Sequence, residues 1–329
     1  MLKKLKMANT PTPIEKIQLV DADLPANLYV KRDDLTGIGL TGNKVRKLEY
    51  LMKKALDEGV TDVVTCGSIQ SNHCRATSLA CAKLGLKANL LLAGDENEPK
   101  ESNNFLDYVS GATQRYISRY DFDHNRTELM EEWAKEIESK EGHKTTIWPE
   151  GASCAVGSFG YVDCYEEILE QEEKMGVEFD TIVVTTGSAG SFAGLIYANK
   201  KFGKDKDIVG ITISYPAQRT INELVPPILE EMKEYDETDL EFTTDDIHVI
   251  DGYQGLGYAK NTMEELEFMR DFISQTGIII DPVYTGKTMY AIFNELMNGN
   301  WADKKNVLFL HTGGAFGWTR EKIDQLQGK

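Results

Sequence analysis

The chain predicts an α/β fold with mostly parallel sheets. Short β-rich runs alternate with longer helical patterns along most of its 329 residues. The clearest strand runs are apolar at consecutive positions rather than alternating, as when both faces of a strand are covered by helices. In order, Thr61 to Cys66 reads as a strand, and after Gly67 a helix runs through about Leu84. Ala88 to Ala93 is a second strand, Asn103 to Ser110 a helix and Gln114 to Ile117 a strand. Arg126 to Lys140 places Leu129, Met130, Trp133 and Ile137 on one helical face. Thr145 to Trp148, a helix over Tyr161 to Glu172, and Asp180 to Thr185, the strongest strand, continue the alternation. Ile208 to Ile213 and Asn306 to Leu310 are further buried strands. The acidic stretch Glu230 to Asp246 breaks the rhythm and reads as a surface excursion.

The length suits about two domains. The balance of 41% hydrophobic and 27% charged residues is that of a soluble globular chain. A net charge of -17 argues against nucleic acid or an anionic membrane as partner, and no apolar run approaches the roughly 20 residues of a membrane span. The basic start, Met1 to Lys6, lacks the apolar stretch of a secretory signal. Five cysteines (Cys66, Cys74, Cys81, Cys154 and Cys164) form no CxxC pair, so they read as reduced thiols of a cytoplasmic protein, mostly buried.

No HExxH, no clustered His/Cys metal set and no GxSxG is present. Gly37 to Lys44 nearly spells a phosphate-binding Walker loop, but Asn43 separates Gly42 from Lys44 and Val45 replaces the hydroxyl. Five other segments carry chemistry. In Gly42-Asn43-Lys44-Val45-Arg46-Lys47, a glycine turn puts Lys44 at the mouth of a helix, with Lys47 one turn later on the same face. Thr185-Thr186-Gly187-Ser188-Ala189-Gly190-Ser191 follows the strongest strand; its small residues let backbone N–H groups converge on one anion at a helix start. Because it is not GxGxxG, a single phosphate fits better than a dinucleotide. Gly67-Ser68-Ile69-Gln70-Ser71-Asn72-His73 offers Ser71 as a helix cap, with polar donors suited to a carboxylate. Asp281 to Lys287, with Tyr284 leading into a helix, and His311-Thr312-Gly313-Gly314 complete the set. Ends of parallel strands face a common ligand crevice, so these loops are expected to meet.

Together the segments GNKVRKLEYL, GSIQSNH, TTGSAGSFAGL, DPVYTGK and HTGGA resemble, in order, the pyridoxal-phosphate family that contains D-cysteine desulfhydrase and 1-aminocyclopropane-1-carboxylate deaminase, over about Leu28 to Gly314. The resemblance implies a tryptophan-synthase-β-like fold: two open, mostly parallel twisted sheets flanked by helices, with the cofactor in the cleft between domains. It implies a large domain of residues 1–47 and 154–329 and a small one of 48–153. It further implies that Lys44 forms a Schiff base with pyridoxal 5'-phosphate, and that Lys47 and the loop Gly187, Ser188, Ala189, Gly190 and Ser191 hold the phosphate. Asn72 would reach the cofactor's phenolic oxygen; Ser71, Asn72 and His73 would surround a small amino-acid substrate's carboxylate. Tyr284 and Tyr258 would stack or move protons near that substrate, and Thr312, with Thr285, would face the pyridine nitrogen. No metal is implied, and a homodimer is.

Position 285 separates the two activities. The deaminase pattern reads DPVYEGK, where a glutamate keeps the ring nitrogen protonated; this chain has Thr285. A neutral hydroxyl suits β-elimination, in which a Cα proton and a leaving group on Cβ ease the reaction, and His73 in place of the deaminase Gln agrees. The expectation is therefore β-elimination from D-cysteine, with the cyclopropane deaminase, a lyase for another β-substituted acid such as L-cysteate, and a non-catalytic cofactor-binding protein as alternatives. Gly151-Ala152-Ser153-Cys154 departs from a family GGSN, Phe316-Gly317-Trp318 departs from the desulfhydrase pattern, and Thr41 replaces a glycine. These departures are expected to reshape the substrate pocket.

Overall fold

A computed structural model describes residues 2–19 and 23–329. Among the described residues, ten strands fall into two sheets. The first contains β1 (Ile14–Lys16), β2 (Asn27–Lys31), β7 (Thr181–Thr186), β8 (Asp207–Thr212), β9 (His248–Ile250) and β10 (Asn306–Leu310), in the order β1-β2-β10-β7-β8-β9. Every pairing in it is parallel except β1 with β2. The second contains β3 (Asp62–Ser68), β4 (Lys87–Ala93), β5 (Thr113–Ile117) and β6 (Thr145–Ile147), all parallel, in the order β5-β4-β3-β6. The predicted architecture of two helix-flanked, mostly parallel sheets is the one found.

Helices α1 (Asn43–Asp57), α2 (Asn72–Leu84), α3 (Ser102–Val109), α4 (Arg119–His124), α5 (Arg126–Glu138), α6 (Ala155–Met175) and α7 (Gly190–Lys201) connect these strands. Ser71 caps α2 as read from the sequence, its hydroxyl accepting from the Cys74 N–H at 3.2 Å. Strands β7, β8 and β10 are buried along almost their whole length, which is why their residues are apolar without alternation.

Two local readings are corrected. The helix expected over Tyr161 to Glu172 begins at Ala155 and runs to Met175. The acidic stretch from Glu230 is not an excursion throughout, because a helix, Val225–Asp236, occupies its first part. Val225, Ile228, Leu229 and Met232 recur at helical spacing and are buried, while the acids take the solvent side. Counting acids hid that stripe.

Helix α1 is held against the first sheet by a buried charge cluster. Arg46 donates to Asp33 through Nε and Nη2 (2.8 and 2.9 Å) and to Glu167 of α6 through Nη1 and Nη2 (both 2.9 Å). Tyr161 donates to Asp33 as well (2.8 Å), and Lys31 of β2 donates to Glu167 (3.0 Å). Burial alone would raise the Asp33 carboxyl, but Arg46, with Lys31 and Tyr161, outweighs it and holds Asp33 below the usual range. The cluster sets the azimuth of α1, and with it the direction in which Lys44 and Lys47 leave the helix.

Candidate active site

The C-terminal ends of β3, β7, β8 and β10 open on one cleft, which the start of α1 also enters. Its walls include Lys44, Lys47, Ser71, Asn72, His73, Gly187, Ser188, Ala189, Gly190, Ser191, Tyr258, Tyr284 and Thr312. Every predicted site residue except Thr285 is therefore brought to one place.

Gly42 makes the entry of α1 possible. Its φ of +89° lies in the left-handed region, and a Cβ there would stand 2.6 Å from the Thr312 carbonyl oxygen. Asn43 N–H donates to that same carbonyl (3.0 Å), so the glycine turn pins α1 to the loop after β10. Lys44 Nζ donates to Asn43 Oδ1 (3.0 Å), and Asn43 Nδ2 donates to Ser191 Oγ (3.0 Å). Burial, partly offset by Glu150 and Asp281 and reinforced by Arg75, lowers the Lys44 amine to about 8. A buried amine so poised has a substantial neutral fraction near neutral pH, which an amine nucleophile or base requires.

One turn on, Lys47 Nζ donates to Gly151 O (2.7 Å) and Ser153 Oγ (2.9 Å). Ser153 Oγ also accepts from Gly190 N (3.2 Å) and lies 2.8 Å from Ser188 Oγ. Ala189, at φ +65°, precedes α7 in the left-handed conformation that turns successive N–H groups toward one point. A Cβ on Gly190 would come within 2.6 Å of Lys47 Nζ, so only glycine leaves this cradle open. Burial, with Lys44 adding to it, pushes the Lys47 ammonium well below its ordinary value. A buried lysine, a helix N-terminus and serine hydroxyls that have no carboxylate partner among the described residues are groups that could hold a phosphate dianion, which would restore the lysine's charge.

Ser71 and His73 stand at the N-terminus of α2, and Gly67 leaves room for Ser71, whose Oγ would be 2.5 Å from any Cβ there. His73 Nε2 lies 2.8 Å from Thr65 Oγ1, and burial, then Lys44 and Lys47, push its pKa well down, so the ring is neutral. Asn72 Oδ1 accepts from Asn103 Nδ2 (3.1 Å). Across the cleft the Tyr258 and Tyr284 hydroxyls are 2.5 Å apart, and Tyr258 is 3.2 Å from Ser68 Oγ. Burial raises both phenols, so they enter as neutral donors.

Thr285 is the one predicted site residue that does not line the cleft. It is fully buried, its Oγ1 donating to Asp281 Oδ1 (2.6 Å) and accepting from Asp281 N (2.7 Å). A buried carboxylate demands donors, and the first turn of the helix Thr285–Met297 supplies them. In the segment that departs from the family GGSN, Gly151, which keeps the family glycine, lines the cleft, whereas the substituted Ala152 and Cys154 do not. Ser153 lies behind it at the Lys47 cradle, whereas Phe316 stacks against buried Arg75 (5.0 Å) and Trp318 Nε1 donates to Ile280 O (3.0 Å). Thr41 turns its hydroxyl to Asp34 O (2.5 Å). These side chains brace the walls instead of forming them.

Asn43, Ser68, Arg119, Glu150, Thr185, Ser214 and Tyr215 line the cleft without having been singled out. Ser68, Thr185 and Ser214 were findable, because they stand at or just beyond the ends of parallel strands. Glu150 and Arg119 carry no such signal.

Residues 5–313 match the family model described as pyridoxal-phosphate dependent enzyme. A bifunctional D-cysteine desulfhydrase/1-aminocyclopropane-1-carboxylate deaminase of Arabidopsis thaliana is 37% identical, covering 97% of this chain and 80% of that protein. A D-cysteine desulfhydrase of Serratia proteamaculans is 33% identical over 95% of this chain and 94% of its own. The crystal structure of an ACC deaminase homologue superposes with a TM-score of 0.87 at 35% identity, covering 99% of this chain and 96% of that one. The chain belongs to the pyridoxal-phosphate-dependent family of 1-aminocyclopropane-1-carboxylate deaminases and D-cysteine desulfhydrases, and its cofactor is pyridoxal 5'-phosphate.

Proposed function

From membership in that family, we propose that this protein is a lyase that eliminates sulfide from D-cysteine, leaving pyruvate and ammonia. The observation that carries the choice is the identity of position 285: the deaminase pattern has a glutamate there, long enough to bring a carboxylate to the ring, whereas this chain has the short Thr285, whose hydroxyl is committed to Asp281. The nearby Asp281 carboxylate does not replace it, being fully engaged by the N–H groups of Val283, Tyr284 and Thr285 and by the Thr285 hydroxyl. Without a free carboxylate at that end the cofactor ring is a milder electron sink, sufficient where a Cα proton and a Cβ leaving group are both present. Relatives carry both names, one of them for both activities together and another for the desulfhydrase alone, so the choice rests on position 285.

When bound, the cofactor withdraws electrons from the substrate Cα. Lys44 anchors it and, once displaced by substrate, holds a neutral amine to take the Cα proton, which its depressed pKa of about 8 favours. Lys47, Gly187, Ser188, Ala189, Gly190 and Ser191 hold the phosphate and fix the ring without touching the reacting atoms. Ser71 keeps its O–H free to donate while its oxygen accepts from Cys74, so with Asn72, the neutral His73 and the start of α2 it binds the substrate carboxylate. Tyr284, hydrogen-bonded to Tyr258, faces the departing sulfur and passes a proton across the pair. Thr312 serves the ring nitrogen.

In this reading residues 48–153 move as a small domain against 1–47 and 154–329, the enzyme is a homodimer, and it works in the cytoplasm. Four of its five free cysteines are buried, in keeping with a reducing compartment. Purified protein supplied with the cofactor should release sulfide and pyruvate from D-cysteine, with L-cysteine, L-cysteate and the cyclopropane acid as comparisons. Turnover of the cyclopropane acid with no product from D-cysteine would overturn the assignment.

A further inference from the structure

Two carboxyl groups act on Lys44, and they differ in what they have left to bind. Asp281 Oδ1 accepts from Thr285 N and Oγ1, and Oδ2 from Val283 N and Tyr284 N, at 2.6 to 3.0 Å. It has no open face. Glu150 lines the same cleft as Lys44, Tyr258 and Tyr284, and among the described residues its carboxylate accepts no hydrogen bond. Its nearest cation is Arg126 Nη1 at 3.9 Å, beyond hydrogen-bond length, and its side chain keeps 35% of its surface open. Facing it are Arg126 of α5, Arg119 of α4 with Asp123 behind, and Lys44 of α1. It shares the cleft wall with Tyr258 and Tyr284, and its charge reaches both phenols. A half-open carboxylate beside the anchoring lysine lacks a donor, and the incoming amino acid brings one.

We propose that Glu150 captures the α-ammonium group of the substrate and removes one proton from it. The proposal rests on the reading that the substrate is an amino acid, not on which one. An ammonium has no lone pair and cannot attack the cofactor carbon that Lys44 occupies. In the step, an N–H bond breaks, its electron pair stays on nitrogen and the proton moves to a Glu150 carboxylate oxygen. The freed amine would then take the place of Lys44 on the cofactor carbon, its two remaining N–H protons passing to Lys44 Nζ as the carbon–Nζ double bond gives way to one with the substrate nitrogen, so that Lys44 would leave as a neutral amine. Glu150 then returns its proton to solvent. A carboxylate distinct from the lysine matters here: if Lys44 took the ammonium proton, it would no longer be free to take the Cα proton. Burial raises the Glu150 carboxyl above its ordinary value, which suits a group that must hold this proton briefly.

The test follows the cofactor absorbance in rapid mixing of holoenzyme with alanine, D and L separately, near neutral pH. Alanine arrives as an ammonium and has no leaving group, so the reading does not depend on sulfide release. Methoxyamine arrives already neutral and attacks the same carbon. Glu150→Gln should slow the alanine reaction by about a hundredfold, within the usual contribution of a proton-transfer group, and leave methoxyamine unchanged. Glu150→Asp, which keeps a carboxyl, should restore most of the alanine rate. Equal slowing of both amines, or no slowing of alanine in Glu150→Gln, would overturn the proposal. Absence of sulfide from D-cysteine with the amine discrimination intact would instead overturn only the choice of substrate.

Discussion

Replacing Gly190 by alanine would put a methyl carbon 2.6 Å from Lys47 Nζ, 2.7 Å from Ser153 Oγ and 2.8 Å from Ser153 Cα. The lysine tip is flexible and can retreat, but the Ser153 backbone cannot do so cheaply, since Ser153 N donates to Glu150 O and the turn is packed behind the cleft. The methyl therefore evicts the Lys47 ammonium from the cradle. A charge-assisted hydrogen bond of the kind Lys47 would make to a phosphate is worth about 1.5–3 kcal/mol. At about 1.4 kcal/mol per decade, Gly190→Ala should weaken pyridoxal 5'-phosphate binding by roughly tenfold to a hundredfold. Titration of the apoprotein followed by absorbance measures this. Pyridoxal without its phosphate is the control, and its affinity should be the same in wild type and variant. An unchanged affinity for the phosphorylated cofactor, or an equal loss for both compounds, would refute the assignment of this cradle to the phosphate.

Lys44→Ala should still take up the cofactor through the cradle but lose the absorbance near the visible edge that a lysine-linked aldehyde gives; unchanged absorbance would remove Lys44 from the anchor position. Because the Lys44 amine is lowered to about 8, the rate of cofactor uptake by the apoprotein should climb with pH and level off above that value, as the neutral fraction saturates; a rate flat from pH 6 to 9, roughly the span over which such an amine titrates, would contradict it. Arg46→Met leaves Asp33 buried without its main partner and should cost about 3–5 kcal/mol in urea unfolding. The Asp33 carboxyl is held below its unfolded value, so its stabilisation is complete above that value and is lost as pH falls through the folded one. In Arg46→Met that protection disappears, and acid unfolding should begin at higher pH; a wild-type acid midpoint would deny the cluster this role.

Legibility followed the range of the forces involved. Strands β3, β4, β7, β8 and β10 were readable because a buried parallel strand must be apolar along its own length. Ser71 was readable as a cap because its partner is three residues away. Strands β1, β2 and β9 escaped notice: β1 and β9 have three residues each and are defined by a neighbour across the sheet, and the apolar residues of β2 are interrupted by Asn27 and Lys31 at its ends. The helix Val225–Asp236 was obscured by its acidic solvent face. Glu150 escaped because nothing within its own turn distinguishes it from a surface glutamate; its interest comes from Lys44, about a hundred residues earlier.

By itself the sequence determined the fold class, the glycine turn that opens α1, the phosphate-type loop after β7 and the family, since all of these depend on residues close together along the chain. Only the tertiary structure decided which side chains share the cleft. It turned Thr285 inward to Asp281, set Ser153 behind Lys47, moved Phe316 and Trp318 into the bracing of the walls, and left Glu150 open beside Lys44. The physical reason is that a polar side chain is committed by the partners it finds after packing. A carboxylate surrounded by N–H groups is structural, and one left without them is free to meet a substrate.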